Sequence, residues 1–222
     1  MPGQSKRVAF VTIGQSPRDD VMPEMLAQIG AGIEPVEIGL LDGLSREEIA
    51  RLAPSGDGYR LVSRLRDGSE VVVAKAWAER RLQEVVHEID GEGFDLIVLL
   101  CTGSFPQLRS RTLLVEAGRV VDHLVDALSE DGRVVGLMLP NAKQIGAYQR
   151  SSNGQAPTIA THASPYADRR FPEAVDDLKG ADLIVMHCMG YDAAMKTEVA
   201  RLSGKPVLLS RGLVAATVQQ LL

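Results

Sequence analysis

Residues Phe94–Gly103, FDLIVLLCTG, return as Ala181–Gly190, ADLIVMHCMG, with six of ten positions identical and the two cysteines 87 residues apart. Two short apolar strands agree often by chance. Agreement that runs on through Cys and Gly past the strand's end does not. The opening stretch Arg7-Val8-Ala9-Phe10 is likewise similar to Arg133-Val134-Val135-Gly136. A repeat of this kind restricts the chain to two related halves, each centred on a strand that ends in a thiol.

The rest of the chain fits that restriction. Short, β-branched-rich apolar runs at 7–13, 35–38, 95–100, 133–139, 158–161, 182–187 and 206–209 predict buried parallel strands. Helical patterns lie between and after them, at 17–28, 76–90, 118–130, 141–150, 171–179, 192–202 and 212–221. Such alternation predicts an α/β protein of two pseudo-symmetric parallel-sheet α/β lobes. The first lobe is expected over 1–115 and completed by 206–222, with the second over 116–205. One segment interrupts the alternation. Ser45-Arg46-Glu47-Glu48 spells a capping box, and then Arg66-Asp67-Gly68 separates two strand-like runs. We read 59–75 as a β-hairpin inserted in the first lobe. Its ordinary role is an edge or dimer element, and a lid over a site is the alternative.

Composition excludes several functions. The net charge is −5 and only 4% of the 222 residues are aromatic, so the basic footprint and stacking platforms of nucleic-acid binding are missing. The apolar run Val8–Ile13 is too short for an export signal or a membrane span. We therefore expect a cytoplasmic protein, with no membrane partner and with Cys101 and Cys188 as reduced thiols. Neither C-x-x-C nor H-x-x-x-H occurs, so no metal site is expected. Gly30-Ala31-Gly32 follows a helix and lacks the third glycine of a dinucleotide fingerprint, no Walker loop is present, and no nucleophile elbow surrounds Ser104. No cofactor is expected.

Ligands of open parallel sheets bind beyond the carboxyl ends of the strands, where both cysteines fall. A single cysteine there reads as a buried structural thiol. A matched pair reverses that reading, because packing gives no reason to repeat the same thiol. Two opposed thiols suit moving a proton from one face of a carbon to the other, one as thiolate and one as thiol. Following helix N-termini are expected to favour the thiolate. The candidate catalytic residues are thus Cys101 and Cys188. Thr102, Gly103, Ser104, Gly190 and Tyr191 beyond the thiols are candidate substrate-binding residues, as are Thr12, Gly14, Gln15 and Arg18 beyond the first strand. Arg18 either clamps a carboxylate or is a surface residue that pairs with Asp19, Asp20 or Glu24. Ser210 and Arg211 could close the site from the other side, although Arg211 reads as a solvated loop charge. His187 either polarises the cleft or packs.

The run Val11-Thr12-Ile13-Gly14-Gln15-Ser16-Pro17-Arg18-Asp19-Asp20-Val21, together with Leu44-Ser45-Arg46-Glu47-Glu48-Ile49, resembles the AroM family over nearly the whole chain. That family is similar in turn to the aspartate/glutamate/hydantoin racemase superfamily. The resemblance implies cofactor-independent, two-thiol proton transfer at the carbon next to a carboxylate. Cys101-Thr102-Gly103-Ser104 keeps the polar residues expected after the first thiol, whereas Cys188-Met189-Gly190-Tyr191 lacks the usual Thr-His after the second. The expected function is a racemase- or isomerase-like enzyme acting on a small carboxylate, with room for a homodimer. The alternatives are a single-thiol isomerase or decarboxylase on the same fold, or a non-catalytic carboxylate-binding protein.

Overall fold

Each copy of the repeated segment supplies an inner strand of its own sheet. In the computed structural model, residues 5–56, 58–151, 158–167 and 169–222 are described. The first half contributes β1 (Lys6–Thr12), β2 (Ile33–Gly39), β3 (Arg60–Arg64), β4 (Glu70–Ala74), β5 (Leu96–Leu99) and β6 (Leu114–Glu116). The second contributes β7 (Val135–Leu139), β8 (Thr158–His162), β9 (Leu183–Met186) and β10 (Val207–Leu209). The helices are α1 (Met22–Ile29), α2 (Arg46–Ala50), α3 (Lys75–Ile89), α4 (Ala117–Ser129), α5 (Ala142–Ser151), α6 (Phe171–Asp177), α7 (Ala193–Ser203) and α8 (Ser210–Leu221).

Two parallel sheets result, ordered β2-β1-β5-β6 and β10-β9-β7-β8. Read backwards, the second order matches the first position for position. This is the two-lobed α/β architecture that the repeat predicts. Sequence reasoning missed β6, which has three residues and runs straight into α4. The Asp90 carboxylate fixes the approach to it, accepting from Arg111 N at 2.8 Å, Thr112 N at 3.0 Å and Ser110 Oγ at 2.9 Å. Burial opposes ionisation there, but these hydrogen bonds prevail and hold the carboxyl at about 2.

The helices after the fourth strand of each sheet are exchanged. Val121 and Val125 of α4 pack on Val135, Leu137, Leu183 and Val185 of the second sheet. Val214, Ala215 and Val218 of α8 pack on Val8, Phe10, Leu96 and Val98 of the first. Val214 and Val218 are fully buried, and each contributes about 1.5–3 kcal/mol of apolar burial. The exchange therefore fastens the lobes together. The segment 206–222 accordingly divides between them. Its strand pairs with β9 in the second sheet, and its helix covers the first.

The inserted hairpin pairs with neither main sheet. β3 and β4 form their own antiparallel pair, Val62 opposite Val72. Of the edge or dimer role expected of it, the edge is therefore not where it lies. Its position is fixed by close approach to the exit of β1. Gln15 N donates to Arg64 O at 3.2 Å, and a Cβ on Gly14 would stand 2.2 Å from that same oxygen. Only glycine leaves room there. The other lobe holds the hairpin too: Ser164 Oγ donates to Glu70 at 2.6 Å, and Gln144 Nε2 donates to Arg60 O at 3.1 Å. The hairpin thus spans both lobes at the carboxyl ends of their strands. Among the described residues no helix is long and apolar enough to cross a membrane.

Candidate active site

Cys101 and Cys188 each sit two residues beyond an inner strand, β5 and β9. Both line one cavity between the lobes, roofed by Leu61, Val62 and Ser63 of the hairpin. The two cysteine loops touch directly, because Thr102 Oγ1 donates to His187 O at 3.1 Å. Each sulfur accepts an N–H from the glycine two residues on, Gly103 and Gly190, both at 3.4 Å. The space open to water in this cavity is about 30 Å³, roughly the share of one water molecule. A groove of about 600 Å³ lies between α3 and residues 105–108, and neither cysteine lines it. Convergence of reactive groups, rather than volume, singles out the small cavity.

The expectation that helix N-termini make these cysteines thiolates is corrected. No helix follows Cys101, where 102–113 is irregular, and α7 begins only at Ala193. Burial pushes the Cys101 thiol up to about 12, against the Gly103 N–H and the Arg18 charge, which pull it down. Burial likewise raises Cys188, although the Gly190 N–H and the guanidiniums of Arg18 and Arg211 oppose the rise. Both rest as neutral thiols near pH 7. Alkylation of Cys101 in the ligand-free protein should therefore rise about tenfold per pH unit from pH 7 to 10 without levelling off. Quenched iodoacetamide labelling read by peptide mass spectrometry checks this. A plateau below pH 9 would contradict it.

Arg18 forms the wall beside the thiols and is 3% exposed. All five of its N–H donors are used. Nε and Nη2 bind Asp20 in a fork at 2.8 Å each, Nη1 reaches Thr12 Oγ1 at 2.7 Å and Ser63 Oγ at 3.4 Å, and Nη2 also reaches Tyr166 Oη at 2.9 Å. Arg18 pairs with a neighbouring acid, Asp20, but as a buried residue and not the surface one that reading expected. Its guanidinium acts on the cavity as a fixed charge.

The sequence-derived binding residues divide. Arg18, Thr102, Gly103 and Gly190 line the thiol cavity, and Ser104 lines an adjoining one. Thr12 is engaged by Arg18, while Gly14 and Gln15 seat the hairpin, with Gln15 Oε1 accepting from Arg66 N at 3.0 Å. Tyr191 is fully buried in the core of the second lobe, its hydroxyl donating to Ala163 O. Gly190 makes room for Tyr166, whose hydroxyl would lie 2.2 Å from a Cβ added there.

Arg211 is not a solvated loop charge. It is 1% exposed and donates to Met189 O, Gly190 O, Asp20 O and Glu24, at 2.8–3.1 Å. Because α8 begins at Ser210, directly at the end of β10, Arg211 is carried inward to clamp the loop after Cys188. Ser210 Oγ donates to Met186 O at 2.7 Å.

The adjoining chamber shares Thr102, Gly103, Pro140 and Gln144 with the thiol cavity and extends to Tyr59, Asp122, Tyr148 and His187. His187 Nε2 lies 2.8 Å from Asp122 Oδ1, Tyr148 donates to the same oxygen at 3.0 Å, and the Tyr148 and His187 rings meet edge to face at 4.9 Å. Of the pair of readings for His187, packing accounts for its ring, and its position also walls this chamber. Sequence reasoning missed Tyr166, Gln144, Tyr148 and Asp122, which carry no motif and come from the second lobe or α4. Among the described residues no group of three or more His, Cys, Asp or Glu is placed to hold a metal ion.

Solved structures with this arrangement of lobes define the class. Unliganded arylmalonate decarboxylase matches with a TM-score of 0.58 at 15% identity, covering 98% of this chain and 92% of that one. Glutamate racemase from Aquifex pyrophilus gives 0.60 at 14%, covering 97% and 84%. Allantoin racemase from Klebsiella pneumoniae gives 0.56 at 15%, covering 98% and 87%. The chain has the racemase-like α/β fold. Residues 8–222 match the family described as AroM protein, and the chain belongs to the AroM family. No curated protein sequence matches it significantly.

Proposed function

We propose that this AroM-family protein is a cofactor-independent enzyme that moves a proton at the carbon next to the carboxylate of a small acid. Cys101 and Cys188 form the acid–base pair. The observation that carries this reading is that the two repeated thiols line one cavity, together with a buried guanidinium. One cysteine, as thiolate, takes the α-proton and becomes a thiol. The electron pair left on carbon delocalises into the carboxylate, and the other cysteine returns a proton to the opposite face, becoming the thiolate of the next turnover. An α-proton beside a carboxylate is a very weak acid, so the site has to hold the enolate-like state far better than the substrate. The N–H groups of Thr102 and Met189 donate to no partner among the described residues and suit the carboxylate. The fixed charge of Arg18 and the Tyr166 hydroxyl suit the developing negative charge.

The thiols are not equivalent. At Cys188 the guanidiniums of Arg18 and Arg211 oppose the rise and Asp20 adds to it, whereas at Cys101 the opposing charges are Arg18 and Lys75. This asymmetry favours Cys188 as the thiol that ionises for the first proton transfer. It also supports, as a second reading, one-thiol chemistry in which Cys188 alone gives a proton to a carbanion left by decarboxylation. The test is α-deuterium incorporation in D2O across a panel of small amino and 2-substituted acids, followed by NMR. Loss of the α-proton signal of at least one acid is expected. A panel with neither exchange nor binding would overturn the reading.

A further inference from the structure

We propose that Gln144 sets the substrate specificity of this site, accepting a hydrogen bond from an N–H group on a substituent that lies in the second chamber. This rests on the function proposed above, because it assigns the acid's reacting carbon to the thiol cavity.

Gln144 stands at the start of α5, where it lines both chambers. Its side chain is well buried, with the residue 8% exposed. The orientation of the amide is settled by chemistry. Its nitrogen donates to the Arg60 carbonyl at 3.1 Å, and an amide oxygen in that place would meet another acceptor. The remaining atom, Oε1, is buried and has no hydrogen-bond partner, the only such side-chain atom among the described residues. Buried polar groups are ordinarily paired. An orphaned acceptor in the wall between a reactive cavity and its neighbour marks where a ligand's donor is received.

Among the chamber's other polar groups, Asp122 narrows the ligand class most. The Asp122 carboxylate already accepts from Tyr148 and lies against His187, so it adds negative charge and a second acceptor. A second carboxylate on the substituent would be repelled, and a plain alkyl group would leave Gln144 Oε1 unpaired. The chemistry that fits is an N–H donor, either an ammonium or an amide. Discrimination of this kind is strong in buried sites, because the wrong ligand leaves the protein's own polar group unsatisfied.

Calorimetric titration of the full chain with propionate, alanine and N-acetylalanine tests the proposal, since the three share a skeleton and differ in the N–H group. At least one of the two N–H-bearing acids should bind ten or more times tighter than propionate, and which one does so separates ammonium from amide. Gln144→Met, of similar size, should bring that ratio to within about twofold. Gln144→Asn, which withdraws the acceptor but keeps the amide, should lower the ratio in the same direction and guards against misfolding of the first variant. Equal affinity of the parent for all three acids would overturn the assignment, as would a tenfold preference that survives in either folded variant. If propionate binds and protects the thiols without such a preference, only the role of Gln144 falls. If no acid binds and no thiol is protected, the proposed function falls with it.

Discussion

Cys188→Ser and Cys101→Ser proteins are each expected to lose inversion of an exchanging acid, with α-deuterium incorporation at least about a hundredfold slower for whichever thiol serves as base. A positioned acid or base contributes about 10²–10⁴ in rate, and a serine hydroxyl at the same place is far too weak an acid to exist as the anion near neutral pH. Serine is close to isosteric with cysteine, and among the described residues each sulfur accepts one weak N–H contact, so the cavity should survive the change. One-faced exchange through the remaining thiol is the expected residue of activity. In the single-thiol reading only Cys188→Ser should matter. Chiral analysis and NMR of the same reaction mixtures separate the two. Unchanged exchange in both variants would reduce the thiols to packing residues.

Arg18→Met is expected to cost about 3–5 kcal/mol of folding stability in urea titrations, since removing one partner of a buried ion pair leaves the other charge uncompensated. Asp20 would be that charge. Its carboxylate is largely enclosed, and with Arg18 gone the other ion pair it keeps among the described residues is with Arg64, at 3.7 Å. Asp20→Leu combined with Arg18→Met should recover much of the loss. The pH dependence has a definite sign. Burial alone would raise the Asp20 carboxyl, but the Arg18 fork and charge outweigh it and hold it below the ordinary carboxylate range. Its stabilisation is thus present above that range and lost as pH falls below it. Arg18→Met should remove that acid-labile part. Equal stability of parent and variant would refute the account of this pair.

The repeated strand and thiol made the two sheets legible because both copies use the same rule, an apolar run that ends in Cys-x-Gly. Edge strands followed a weaker rule. Val207–Leu209 has a proline before it and was legible, whereas Leu114–Glu116 is held by Asp90 from outside and shows no pattern of its own. The crossing of α4 and α8 between lobes depends on which sheet each apolar face meets, and periodicity is silent on that. At the site, Cys101, Cys188, Thr102 and Gly190 could be found because they repeat or follow a strand. Tyr166 and Gln144 arrive from the second lobe, 65 and 43 residues from Cys101 along the chain, and only folding makes them neighbours. The thiols' protonation is misjudged for two physical reasons: the loops that separate both cysteines from the next helix are not legible in the pattern, and neither is the dominant effect, burial. Arg211 was misjudged in the same way, since its enclosure comes from Asp20 and Glu24 in the other lobe.

Protection of both cysteines by one bound acid is the most direct test that a single ligand sits between them. Cys101 and Cys188 peptides from iodoacetamide labelling at pH 9 are quantified by mass spectrometry against rising concentrations of an acid that exchanges its α-proton. Both labelling rates should fall along one saturation curve, with the same half-maximal concentration. Protection of one cysteine while the other labels at its ligand-free rate would contradict a shared two-thiol site.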